Sequence, residues 1–264
     1  MLRLVVLLSV LFCPAAPATA GGFDHSLWDN ILQTHVKSRD GGKATVVDYA
    51  GVLRERDLLH SYLEKLSQVE AKVFYQWSKV EQLAFLINAY NSWTVELVLT
   101  GYPGLNSIKD LGSFWQSAWK KKFIPLLGET RNLDDIEHGL IRCEGCYNDP
   151  RIHFAVNCAS VGCPALRSEA YRGDILEQQL HDVEILFLSD RTRNRLVGDV
   201  FEISKIFKWY GDDFRKGWQG IDSLEQYLQA HAQLLGMSVG AIEQLDQDRL
   251  KIKYLKYDWT LNDS

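Results

Sequence analysis

KVEQLAFLINAYNSWTVELVL, residues 79–99, decides the fold. The stretch is apolar almost all round, so a helix made of it must be buried at the centre of a domain. Gly101 and Pro103 end it. Residues 23–38 read as a shorter helix. YAGVLRERDLLHSYLEKL, residues 49–66, carries Leu53, Leu58, Leu59, Leu63 and Leu66 near helical spacing. Downstream, WKKKFIPLLGETRNL reads as two short strands around Gly128. LDDIEHGLIRC reads as a helix capped by Asn132, with Asp135 three residues on. RIHFAV reads as a strand and ILEQQLHDVEILFLSD as a helix. RLVGDVFEIS reads as a hairpin on Gly198–Asp199. FKWYGDDF and IDSLEQYLQAHAQLLG add helix, and LKIKYLKYDWTLN closes the chain as a strand. The fold class expected is α+β: a single, mostly helical domain over residues 21–264 with a small antiparallel or mixed sheet.

Residues 1–20 have the pattern of a signal peptide. Arg3 precedes the apolar run LVVLLSVLF, and ATA precedes Gly21. Phe12 and Pro14 around Cys13 do not suit lipidation, so cleavage is expected near Ala20 and the mature chain in the periplasm or outside the cell. The apolar run is too short to span a bilayer, and no other long one follows. The chain has a net charge of −5, which becomes −6 once Arg3 is removed. Its one basic run is Lys120–Lys122. Nucleic acid is therefore not an expected partner; a small molecule or a peptide is. Oligomeric state is not legible, and no cofactor or metal is expected.

Cys143, Cys146, Cys158 and Cys163 remain after cleavage, and export favours disulfides. Local pairing, Cys143 with Cys146 and Cys158 with Cys163, is the simplest arrangement. Pairing between the clusters and a four-cysteine zinc site are the alternatives. Cys158 ends an apolar run and is followed by small residues that let backbone amides and Ser160 approach a ligand. It is a nucleophile if a histidine lowers its pKa. In a regular strand His153 would point away from Cys158. At 100° per residue, His138 lies about 200° from Ile136 and off the apolar stripe, with Asp134 and Arg142 as helical neighbours. His138 is thus the preferred partner of Cys158 and His153 the second. Asn88 and Asn91 share one face of the central helix and need partners when buried. Asn88 is the candidate orienting group, while Asn91, His153, Ser160 and Arg142 are candidate binding residues.

AFLINAYNSWTVELVL, SIKDL, NLDDIEHGLIR, DPRIHFAVNCASVGCPAL, FKWYGDDF and YLKYDWTLN, in that order, resemble the domain of unknown function 547 family. The likeness runs from about Val47 to Asn262. It implies an exported bacterial protein without an assigned activity. Plant members that carry the domain beside glutaredoxin-like or leucine-zipper regions imply thiol chemistry or scaffolding. CEGC, at Cys143 and Cys146, lies outside these stretches. Two functions follow as expectations. One is Cys–His thiol chemistry, as acyl transfer, hydrolysis or binding of a small thiol. The other is a non-catalytic, disulfide-stabilised binding or interaction module.

Overall fold

The computed structural model describes residues 22–113, 115–247 and 249–264. The expected signal peptide lies outside them. In chain order come α1 (Ser26–His35), β1 (Val36–Arg39), β2 (Ala44–Val47), α2 (Tyr49–Arg54), α3 (Arg56–Ser67), α4 (Ala71–Phe74) and α5 (Lys79–Leu99). β3 (Ile124–Leu126), β4 (Glu129–Arg131), α6 (Leu176–Leu188), β5 (Arg195–Val197) and β6 (Val200–Ile203) follow. α7 (Ile206–Trp209), α8 (Leu224–Ala230), α9 (Val239–Asp246) and β7 (Lys251–Tyr254) complete the order. This is one α+β domain. β1–β2 and β3–β4 are antiparallel pairs, while β5–β6–β7 is a mixed sheet with β6 and β7 parallel.

The central helix forms as its composition requires. The Ser78 hydroxyl accepts the Glu81 N–H at 3.3 Å and caps it. Every residue from Gln82 to Leu99 is buried. α5 lies at the heart of one hydrophobic cluster with α1, α2 and α3. A second, aromatic cluster gathers Phe154, Phe187, Phe207, Phe214 and Tyr227 under α6 and α8. Ile152 and Ala155 belong to the first cluster and Phe154 to the second. The segment before Cys158 therefore joins the two.

That segment is not the expected strand. Residues 150–154 form a 3₁₀ turn. Pro150 occupies its first turn and the Asp149 carboxylate accepts the Arg151 N–H at 2.9 Å, a cap that outweighs the apolar run. The Asn91 side chain then holds the exit, donating to Ala155 O at 3.0 Å and accepting from Asn157 N–H at 2.8 Å. Strand alternation accordingly says nothing about where His153 points. The helix after Asn132 also differs. The cap is present in both directions, Asp135 N–H to Asn132 Oδ1 at 2.7 Å and Asn132 N–H to Asp135 Oδ2 at 3.1 Å. Beyond it, however, Asp135–Ile141 winds as a π-helix, with Arg142 N–H donating to Glu137 O at 2.9 Å. The 100° offset applied to His138 fails inside that turn. Such π-turns are frequent at functional sites.

One buried histidine makes the fold acid-sensitive. His25 bonds Tyr62 Oη at 2.7 Å, and burial pushes its pKa from 6.5 down to about 4. A depressed folded pKa gives stability that is complete above pH 6.5 and lost as the pH falls toward 4. About 3 kcal/mol of acid destabilisation is expected from this residue, since each tenfold change in a proton-binding constant is worth about 1.4 kcal/mol. His25→Gln should flatten the fall in denaturant stability between pH 7 and pH 4.5. An identical fall in both proteins would assign the sensitivity elsewhere.

Candidate functional site

A cleft of about 340 Å³ opens where the two clusters meet. The π-helix brings Glu137 and His138 to it and the residue just before it brings Asp134, the 3₁₀ turn brings His153, and the following loop brings Cys158 and Cys163. Trp119, Trp209, Tyr210, Tyr257 and Trp259 give it aromatic walls. The last two come from the C-terminal segment, which runs beside the cysteine loop. Val161 N–H donates to Thr260 O and Gly162 N–H to Asp258 O, both at 2.8 Å. A β-carbon on Gly162 would meet Asp258 O at 2.8 Å, so only glycine lets the two segments lie this close.

The cysteines pair locally, Cys143 with Cys146 and Cys158 with Cys163, so the four thiols are consumed in two disulfides rather than gathered as zinc ligands. The Cys158–Cys163 disulfide forms part of the cleft wall. Cys163 is buried and Cys158 half-buried. Donors converge on the buried sulfur. Cys158 N–H reaches Cys163 Sγ at 2.9 Å, Tyr257 Oη at 3.2 Å and Ser160 Oγ at 3.6 Å. Burial pushes the Tyr257 pKa up to about 12, so its hydroxyl stays a donor. Tyr257 Oη and Ser160 Oγ also lie 3.1 Å and 3.2 Å from Cys158 Sγ. Ala159, next in the chain, holds a left-handed φ of 58° that an L side chain adopts at a cost.

The two histidines are held differently. Arg142, which can only donate, bonds His138 Nδ1 at 2.5 Å, so the lone pair of that ring is already engaged. His138 itself is exposed at the cleft lip. His153 is fully buried, stacked on Tyr210 at 3.9 Å between ring centroids. Its Nε2 lies 2.7 Å from Asp213 Oδ2. The same oxygen accepts Arg142 Nε–H at 2.5 Å, and Lys216 Nζ stands 2.7 Å from Oδ1. Burial alone would raise the Asp213 pKa. Hydrogen bonds from His153, Arg142 and Lys216 outweigh it and hold the carboxyl well below the usual range. An ionised Asp213 only accepts, so His153 carries its proton on Nε2 and its lone pair on Nδ1. Burial lowers the His153 pKa, and Nδ1 has no partner among the described residues.

Glu137 is buried beside Tyr90 and Tyr210; its Oε1 also lacks a partner among the described residues. Burial, and then the Glu137 charge, raises both phenols. Burial also raises the Asp134 pKa.

Of the expected site residues, Cys158, His138 and His153 line the cleft, and Ser160 touches its disulfide. Arg142 sits behind it on Asp213. Asn88 and Asn91 do not line it. Asn88 donates to Tyr171 O at 2.7 Å and accepts Tyr171 N–H at 3.0 Å, tying down backbone rather than a histidine. Glu137, Asp213, Tyr257 and the tryptophans are site residues that sequence reasoning misses. For Trp209, Asp213, Tyr257 and Trp259 the signal is the crowding of acidic and aromatic residues in FKWYGDDF and YLKYDWTLN, while Glu137 and Trp119 lie in other stretches and carry no such mark.

No curated protein and no solved structure matches the chain. Residues 74–188 match the family described as protein of unknown function, DUF547. This span includes CEGC and supplies Tyr90, the π-helix, His153 and both cleft cysteines; Asp213, Tyr257 and the tryptophans Trp209 and Trp259 lie beyond it. The chain thus carries a domain of the unknown-function 547 family over residues 74–188, and completes that domain's cleft with residues from its own C-terminal third.

Proposed function

We propose that the Cys158–Cys163 disulfide exchanges with a small thiol bound in the cleft. The observation that carries this reading is the set of donors on Cys163 Sγ: one backbone N–H, one phenol and, further off, one hydroxyl. Exchange is faster when the leaving thiolate is stabilised, and these groups stabilise that charge. Cys158 is the accessible sulfur and takes the attack. His153 Nδ1 accepts the proton of the incoming thiol. The new bond joins that sulfur to Cys158 Sγ, the Cys158–Cys163 bond breaks, and the electron pair leaves on Cys163. A second thiol, giving its proton to the Cys163 thiolate, then attacks the external sulfur of the mixed disulfide, releasing the external disulfide and the Cys158 thiolate. The two electrons reducing the protein come from the two thiols. His153 replaces His138 as the proposed base, because the His138 lone pair is engaged with Arg142. Acyl transfer at Cys158 requires this reduction first. Export, with cleavage near Ala20, remains part of the proposal and would provide an oxidising setting.

A second reading rests on both disulfides being closed: a binding module in which the same cleft takes a ligand without exchange. Peptide mapping after brief treatment of the folded protein with 2-mercaptoethanol separates the two. The exchange reading expects the mercaptoethanol adduct on Cys158 and not on Cys163, and slower adduct formation in Tyr257→Phe by about tenfold or more, the worth of one hydrogen bond to a charged sulfur. Adducts on Cys163, or a rate indifferent to Tyr257, would favour the binding module.

A further inference from the structure

We propose that the ligand of this cleft presents a protonated amine to Glu137 and a second donor to His153. Two acceptors there lack donors. Glu137 Oε1 and His153 Nδ1 are buried, belong to residues lining the same cleft, and have no hydrogen-bond partner among the described residues. Buried acceptors left in this state are costly. Both side chains are more than nine-tenths buried, at 3% and 2% exposed. A group that satisfies them must donate hydrogen bonds; an anion or a carbonyl cannot.

Charge selects among donors. Among the described residues, the ionisable ones lining the cleft besides the histidines and phenols are Asp134 and Glu137, and no lysine or arginine lines it. The chain's own cations stand behind the walls. Lys109 lies 3.7 Å over Trp259, Lys205 5.8 Å over Trp209, and Arg142 is committed to Asp213 and His138. A compact ammonium supplies several N–H donors and complements the acidic floor, while the aromatic walls suit an apolar body. The inference rests on this cleft being the binding site. Joined to the exchange reading, it makes the partner an aminothiol, its ammonium on Glu137 and its thiol the donor to His153 Nδ1.

The test uses sulfur-free probes, so its outcome is independent of exchange. The folded chain is titrated with benzylamine, benzyl alcohol and benzoate, following tryptophan fluorescence from the cleft walls. Benzylamine should bind saturably, about tenfold or more tighter than benzyl alcohol, as expected for one charge-assisted hydrogen bond. Benzoate should not bind. Glu137→Gln should bring benzylamine down to the level of the alcohol. If that variant does not fold, Asp134→Asn should still weaken benzylamine and leave the alcohol unchanged. Binding of benzyl alcohol or benzoate as tight as benzylamine would overturn the proposal, as would benzylamine binding that is indifferent to both substitutions. Disulfide exchange with a neutral thiol would survive such a failure, and benzylamine binding would survive a disulfide that never exchanges.

Discussion

Asp213→Ala should cost about 3–5 kcal/mol of stability, the scale for removing one partner of a buried ion pair. Asp213 is buried and gathers His153 Nε2, Arg142 Nε and Lys216 Nζ. Without it Arg142 keeps, among the described residues, His138 and its stacking over Tyr210. The sign of the pH dependence follows from the depressed pKa. The stabilisation is present at neutral pH, above the ordinary carboxylate value of 3.8, and is lost only as the pH falls below it. Asp213→Asn is the informative companion. The amide can donate to His153 Nε2, which would move the imidazole proton to Nδ1 and remove the lone pair assigned to the base. Mixed-disulfide formation should then slow far more than stability falls. Equal exchange rates in Asp213→Asn and the parent would remove His153 from the reaction.

Asn88→Leu is expected to cost about 2–6 kcal/mol, because it strands both the N–H and the C=O of buried Tyr171 at about 1–3 kcal/mol each. Urea unfolding measures it. The exchange rate of whatever fraction folds should match the parent, since the Asn88 side chain bonds the Tyr171 backbone, which does not line the cleft. A stable variant that has lost exchange would instead return Asn88 to the site.

The contrast between Asn88 and His153 shows which parts of the molecule the sequence discloses. Apolar content places α5 with its full length, because a helix without a polar face has only one environment open to it. The Gly198 turn and the Asn132 cap are legible for the same local reason: backbone geometry and capping depend on neighbours in the chain. The disulfide pairing is the simplest of the possible ones and is the one formed. His153 is misplaced by sequence reasoning because a short, largely apolar run such as RIHFAV fits a strand or a buried turn equally well, and the deciding groups are Asp149 and Pro150 before it and Asn91 far upstream. The π-turn leaves no periodic trace. The cleft draws on Asp213 and Tyr257, brought in from 60 and 94 residues away in contacts to His153 and Cys163 that no local pattern encodes.

The most direct measurement of the central claim is a dithiothreitol titration of the native protein, with far-ultraviolet circular dichroism and differential alkylation of the cysteines read on the same samples. The exchange account predicts that Cys158 and Cys163 become alkylatable while the circular dichroism is still that of the folded chain, with Cys158 modified ahead of Cys163. Labelling of the two that appears only together with loss of helical signal would contradict it and leave the disulfide a structural clip.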